Sequence, residues 1–125
     1  MLVEDDPDIQ LITCLSLEVG GGYEVLICGS GAEALASARA YAPDLILLDM
    51  MMPGMDGLAV MDALRKLPEV SATPVVFFSA NSQDQVRQDL IRRGALDIIV
   101  KPVEPDALVE QIRALWRRFS SGVSP

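Results

Sequence analysis

The chain has 125 residues, the size of one ordinary domain, and half of them are hydrophobic, which supports a core and rules out a disordered composition. Ten basic against eighteen acidic residues leave a net charge of −8, which repels phosphate backbones and argues against direct DNA or RNA binding; no apolar run nears the roughly 18 residues of a membrane span. Histidine is absent, which removes Ser–His–Asp triads, histidine bases and most zinc sites, so any chemistry falls to carboxylates, hydroxyls, lysine and backbone.

Leu2-Val3 is a short apolar start, and Glu4, Asp5 and Asp6 follow at once, unlike a signal peptide. Asp6 is placed as an N-cap and Pro7 as the first residue of a helix to about Glu18, with Ile9, Ile12, Leu15 and Leu17 as its apolar side. Gly20-Gly21-Gly22 stops it, and Tyr23–Cys28 (YEVLIC) reads as a strand. Ser30 and Glu33 have capping-box spacing and open a helix to about Tyr41. Pro43-Asp44 turns the chain into the apolar run Leu45–Leu48. A helix is expected over Asp56–Lys66, a loop over Pro68–Pro74 and a strand over Val75–Phe78. Ser82 and Gln85 repeat the capping-box spacing before a helix ending near Arg93-Gly94. Asp97–Val100 is the fifth strand, and Pro105 opens a last helix to about Arg118, with Val109, Ile112, Leu115, Trp116 and Phe119 as its stripe. The closing SSGVSP has linker composition. Cys14 and Cys28 both lie in apolar stretches and read as buried thiols of a reducing, cytoplasmic compartment.

Five strands alternating with five helices imply an α/β fold, a parallel sheet with helices on both faces, because each parallel connection needs a crossover. LILL, VVFF and IIV are continuous apolar runs, as strands covered on both faces should be. Each strand run but the second ends in a chemically capable side chain: Glu4 and Asp5 after the first, Asp49 after the third, Ser79 after the fourth and Lys101 after the fifth. In open α/β sheets ligands bind at that carboxyl edge. Acids gathered there repel one another, and a hard divalent cation such as Mg²⁺, which takes carboxylates together with phosphoryl oxygens, resolves the conflict. With Lys101 as a point charge and Ser79 as a hydroxyl donor, the set is a site for a phosphoryl group, and Asp49 is placed as its nucleophile. The Lys101-Pro102 bond is a candidate cis peptide. The run of methionines from Met50 to Met61 reads as loop and core filler.

The segments VEDDP (Val3–Pro7), LLDMMMPGMDG (Leu47–Gly57), FFSA (Phe77–Ala80) and GALDIIVKP (Gly94–Pro102) resemble, in order and spacing, the receiver domain of two-component response regulators. The resemblance runs from about Leu2 to Arg118 and implies a flavodoxin-like (βα)5 doubly wound sheet in strand order 2-1-3-4-5, with residues 1–118 as the receiver and 119–125 as a tail or the start of a linker. It implies a signalling domain rather than an enzyme: Asp49 as the phosphoacceptor, Lys101 paired with a phosphoryl oxygen, Ser79 bonding the phosphoryl group, and Mg²⁺ held by Glu4, Asp5, Asp49 and the backbone carbonyl of Met51. The donor it implies is the phosphohistidine of a histidine kinase or histidine phosphotransfer protein. An output domain in the same chain, an output partner and a homodimer all stay open.

Three departures stand out. Ile98 takes the place, three residues before the lysine, where many receivers carry the Tyr or Phe that moves with the Ser/Thr on phosphorylation. A degenerate receiver that binds partners without phosphorylation is therefore the alternative. The first strand, at most Met1–Val3, is short beside the usual length of about 5–6 residues, which is compatible with residues missing ahead of it. Met51 and Asn81 sit where side chains can steer a hydrolytic water, and Met51 bonds water poorly, so slow self-dephosphorylation is expected. Two other classes fit worse. A haloacid dehalogenase-type phosphatase needs a second Asp where Met51 stands, and a flavodoxin-like cofactor binder needs a phosphate-cradling loop where EDDPD stands.

Overall fold

The computed structural model describes residues 1–52 and 54–121; the end of the SSGVSP tail, residues 122–125, lies outside the described residues. Five parallel strands form one sheet: β1 (Leu2–Val3), β2 (Ile27–Cys28), β3 (Ile46–Asp49), β4 (Val75–Ser79) and β5 (Asp97–Val100). Their order across the sheet is β2-β1-β3-β4-β5, the doubly wound order expected. The helices are α1 (Pro7–Leu15), α2 (Gly31–Tyr41), α3 (Gly57–Arg65), α4 (Asp84–Arg92) and α5 (Pro105–Ser120), the last running two residues past the expected end. β3 and β4 are buried along their whole length, which is why their sequences are apolar without alternation. The two faces of the sheet carry separate cores. Val3, Ile46, Leu48, Val75 and Phe77 meet Ala34, Val60 and Leu64 on one side. Leu2, Leu47, Val76, Phe78 and Ile99 meet Leu17, Leu108, Ile112 and Leu115 on the other.

Two caps form from the expected residues. Asp6 accepts from the N–H groups of Asp8 and Ile9, and Ser30 accepts from Glu33 N–H at 3.1 Å. The third does not: the Ser82–Gln85 box is absent, and α4 starts after Gln83 without a side-chain cap bond. The chain instead leaves β4 through two side-chain turns, Asn81 N–H to Ser79 Oγ and Gln83 N–H to Asn81 Oδ1, which carry it past Ser82 before the helix begins. Three further expectations are corrected. The second strand is two residues, not six: Leu26 O still accepts from Leu2 N–H at 2.8 Å, but residues 23–26 form no ladder. The first helix passes into a π turn over Ser16–Gly20, and its phase buries Thr13, Ser16 and Leu17 while Ile12 and Leu15 are more than half exposed. Phe119 is 39% exposed, at the end of the α5 stripe beside Trp116. Both cysteines are free, Cys28 buried and Cys14 only half-buried.

Burial lowers the α-amine of Met1 to about 6, against the partial support of Cys28 and Asp44. A lowered amine pKa means that the unfolded chain binds the extra proton between about pH 6 and 8, so stability rises with pH across that window. The full shift corresponds to about 3 kcal/mol. The thermal midpoint should accordingly climb between pH 6 and 8 and flatten above it; a flat profile would contradict the burial of the amine.

Candidate functional site

The site sits at the carboxyl edge of the sheet, where β1 and β3 are neighbours and β4 and β5 follow. β1 delivers Glu4 and Asp5 directly after Val3, and β3 ends on Asp49. Glu4 is 1% exposed and Asp49 6%, whereas Asp5 is exposed. One carboxylate oxygen from each of the three lies within 4.8 Å of the others. Two buried carboxylates that close would repel each other without compensation. Lys101 supplies it: its ammonium donates to Glu4 Oε1 at 2.9 Å and to Asp49 Oδ1 at 3.0 Å, and lies 4.9 Å from the centre of the Phe78 ring. Burial pushes the Glu4 carboxyl up; the bond from Lys101 opposes the rise, Asp49 adds to it, and the net effect leaves the carboxyl raised. Burial alone would lower the Lys101 ammonium, but its bonds to Glu4 and Asp49 outweigh that and leave it raised.

The remaining parts are held by backbone. Lys101 N–H donates to Ser79 O at 2.7 Å, which fixes the ends of β4 and β5 side by side, and the Lys101–Pro102 peptide is cis. Ser79 is buried at the rim. Asp49 Oδ1 accepts from Met51 N–H at 3.4 Å, so the loop after β3 folds back over the Asp49 carboxylate. That loop is a small hairpin, Met51–Met52 against Met55–Asp56, with Gly54 in the left-handed region at φ 79°. Met51 is 76% exposed, its side chain outside the core. Asp6 caps α1 rather than joining the cluster.

Two features escaped the residue-by-residue reading. Gly57 opens α3 directly under Asp49: a Cβ there would stand 2.7 Å from Asp49 O, 2.9 Å from Phe77 Cε1 and 3.0 Å from Met50 Cα, two of them backbone atoms. Gly57→Ala should therefore cost about 1–3 kcal/mol by overpacking and shift the Asp49 backbone; an unchanged thermal midpoint would show that the strand end yields freely. Asp97, 7% exposed, takes Arg87 of α4 through both carboxylate oxygens (2.7 and 3.0 Å) and Arg118 of α5 at 3.1 Å, tying both helices to β5. Burial pushes this carboxyl up, but the bonds from Arg87, Ile98 N–H and Arg118 outweigh it and hold it below the ordinary range. An acid opening an otherwise apolar strand was the available signal. Ile98, next to it, is half-buried against the core that contains Phe77.

The sequence profile described as "Response regulator receiver domain" matches residues 1–113. The chain belongs to that family. The receiver is 38% identical over 119 residues to the DNA-binding response regulator MtrA of Mycolicibacterium smegmatis, covering 94% of this chain and 50% of that protein. It is 40% identical over 118 residues to the transcriptional activator protein PfeR of Pseudomonas aeruginosa, covering 94% and 37%. It thus spans about half or less of these curated relatives. Among solved structures, the chemotaxis protein CheY4 of Vibrio cholerae superposes with a TM-score of 0.84 at 29% identity, covering 91% of this chain and 94% of that one. NtrX of Brucella abortus gives 0.85 at 30% identity, covering 97% and 27%. Among the described residues, no helix of this receiver is long and apolar enough to cross a membrane.

Proposed function

We propose that this receiver takes a phosphoryl group onto Asp49 from the phosphohistidine of a cytoplasmic histidine kinase or histidine phosphotransfer protein. The donor P–N bond breaks as a P–O bond to Asp49 forms, and the leaving imidazole takes a proton from solvent. The observation that carries the reading is a single ammonium, Lys101, bonded at once to Glu4 and Asp49 at the edge of a parallel sheet. Lys101 would leave Glu4 for an oxygen of the arriving group, and the Ser79 hydroxyl would donate to another. The converging oxygens of Glu4, Asp5 and Asp49 fit a hard divalent cation, and we assign Mg²⁺ to them and to the Met51 backbone carbonyl. When bound, it would neutralise charge on the phosphoryl oxygens.

We assign residues 1–118 to the receiver and 119–125 to a tail or the start of a linker, leading to an output domain or partner. Uptake of one phosphate from acetyl phosphate in the presence of Mg²⁺, read by intact mass, tests the acceptor. The presence of Asp49, Lys101 and Ser79 together gives the phosphorylation-independent alternative no support. Hydrolysis of the aspartyl phosphate should be slow, because the Met51 side chain is a poor partner for water and Asn81 Oδ1 is already taken by Gln83 N–H. The phosphorylated chain, freed of donor, should hold its phosphate for minutes or longer; decay within seconds would sink this prediction.

A further inference from the structure

Asp5 is the loosest member of the carboxylate cluster. Its side chain is exposed, and among the described residues no hydrogen bond or ion pair fixes it, whereas Lys101 holds both Glu4 and Asp49. Its aim toward the other two is therefore set by the two peptide units that flank it. On one side, Asp6 N–H donates to Glu4 Oε2 at 3.3 Å. On the other, the backbone carbonyl of Glu4 accepts from the side-chain amide of Gln10, Nε2 to O at 2.5 Å. That bond stands where a strand bond would otherwise be. Leu2 N–H and Glu4 N–H donate to Leu26 O and Cys28 O, and the next rung of the parallel ladder would return Ser30 N–H to Glu4 O. β2 has ended at Cys28, however, and Ser30 caps α2 instead. Glu4 is 1% exposed, so its carbonyl needs a donor from the protein. Gln10 supplies it from α1, a helix whose start is fixed independently by the Asp6 cap and by Gln10 N–H to Asp6 O at 2.9 Å.

We propose, resting on the assignment of a divalent cation to Glu4, Asp5 and Asp49, that Gln10 is a positioning residue of that cation site. By latching the Glu4–Asp5 peptide it holds the Asp5 carboxylate toward Glu4 and Asp49, and it sets the affinity for the cation without touching it. Without the latch, the buried carbonyl turns toward another donor, the peptide plane rotates, and Asp5 swings with it because nothing else ties its side chain. Glu4 and Asp49 stay on Lys101, so the loss falls on metal binding and spares the phosphoryl contacts.

The test is Gln10→Met, which keeps an unbranched stem and removes the donor. Mn²⁺ binding, read by electron paramagnetic resonance with no phosphodonor present, should weaken on the order of 10-fold. The Mg²⁺ concentration that half-saturates phosphate uptake from acetyl phosphate should rise by the same factor, while the rate at saturating Mg²⁺ stays that of the parent. Thr13→Ala, at a buried position further along the same helix, is the control: its thermal midpoint should fall with Mn²⁺ affinity unchanged. Parent-like Mn²⁺ affinity in Gln10→Met overturns the proposal. So does a Gln10→Met chain that fails to fold, or an equal loss of affinity in Thr13→Ala, because either makes Gln10 a prop of the helix. A parent that binds no Mn²⁺ removes the cation assignment and this proposal with it. A parent that binds Mn²⁺ but takes up no phosphate overturns the phosphoacceptor reading alone, and the Mn²⁺ comparison still decides the role of Gln10.

Discussion

Incubated with Mg²⁺ and acetyl phosphate, the chain gains one phosphate by intact mass, and Asp49→Asn gains none. The expectation rests on which carboxylate has both shelter and a counter-charge. Asp5 is exposed and carries no bond to Lys101, so it has neither. Glu4 has both, but it is 1% exposed, and one of its oxygens accepts from Asp6 N–H while the other holds Lys101. Asp49 ends β3 at the mouth of the site, with one oxygen shared between Lys101 and Met51 N–H. Asparagine keeps the shape and the acceptor oxygen while removing the nucleophile. It also removes one of two buried negative charges that compete for one lysine, so the thermal midpoint of Asp49→Asn should not fall. A variant that still takes up one phosphate would move the acceptor to another acid. A variant that loses uptake together with its fold would leave the midpoint, rather than the mass, as the failed expectation.

How much of this was legible depended on whether local chemistry or tertiary packing decided the outcome. LILL, VVFF and IIV announced buried parallel strands because both faces demand apolar residues, and the polar residue closing each run then had to lie at one edge. Glu4, Asp49 and Lys101 could be grouped from that rule alone, and the Lys101 ammonium is bonded to both carboxylates. The Ser82 box failed because Ser79 and Asn81 offered nearer acceptors to the same stretch of backbone, a competition that spacing does not rank. YEVLIC kept strand-forming residues but lost its ladder, since a strand needs a neighbour and β1 provides only two residues. Ile12 and Leu15 were expected inward on hydrophobicity, yet the helix phase is set by what the sheet receives, which is Thr13, Ser16 and Leu17. Gly57 and the Asp97 clamp were invisible for a related reason: a missing Cβ and a carboxylate between two arginines acquire meaning only when distant segments meet.

Lys101→Met should lower both stability and the rate of phosphorylation, and Mg²⁺ should rescue the first more than the second. Methionine keeps an unbranched stem beside Phe78, whose ring centre lies 4.9 Å from the ammonium, so the substitution isolates the charge. Without that charge, Glu4 and Asp49, 1% and 6% exposed, face each other unpaired. Removing one partner of a buried ion pair costs about 3–5 kcal/mol, which for a domain of this size lowers the thermal midpoint by about 10 °C or more. A divalent cation on the Glu4–Asp5–Asp49 oxygens supplies the missing positive charge, so adding Mg²⁺ should raise the variant's midpoint more than the parent's. Rate is a different matter. A fixed donor aimed at the transferring group's oxygens is worth on the order of 10²–10³-fold, and a metal held on the carboxylate side does not replace it. The measurements are thermal midpoints with and without Mg²⁺ and the rate of phosphate uptake at saturating Mg²⁺. Uptake at the parent rate would remove Lys101 from the transfer. An equal Mg²⁺ response in the two proteins would mean that the lysine and the cation do not share the same pair of carboxylates.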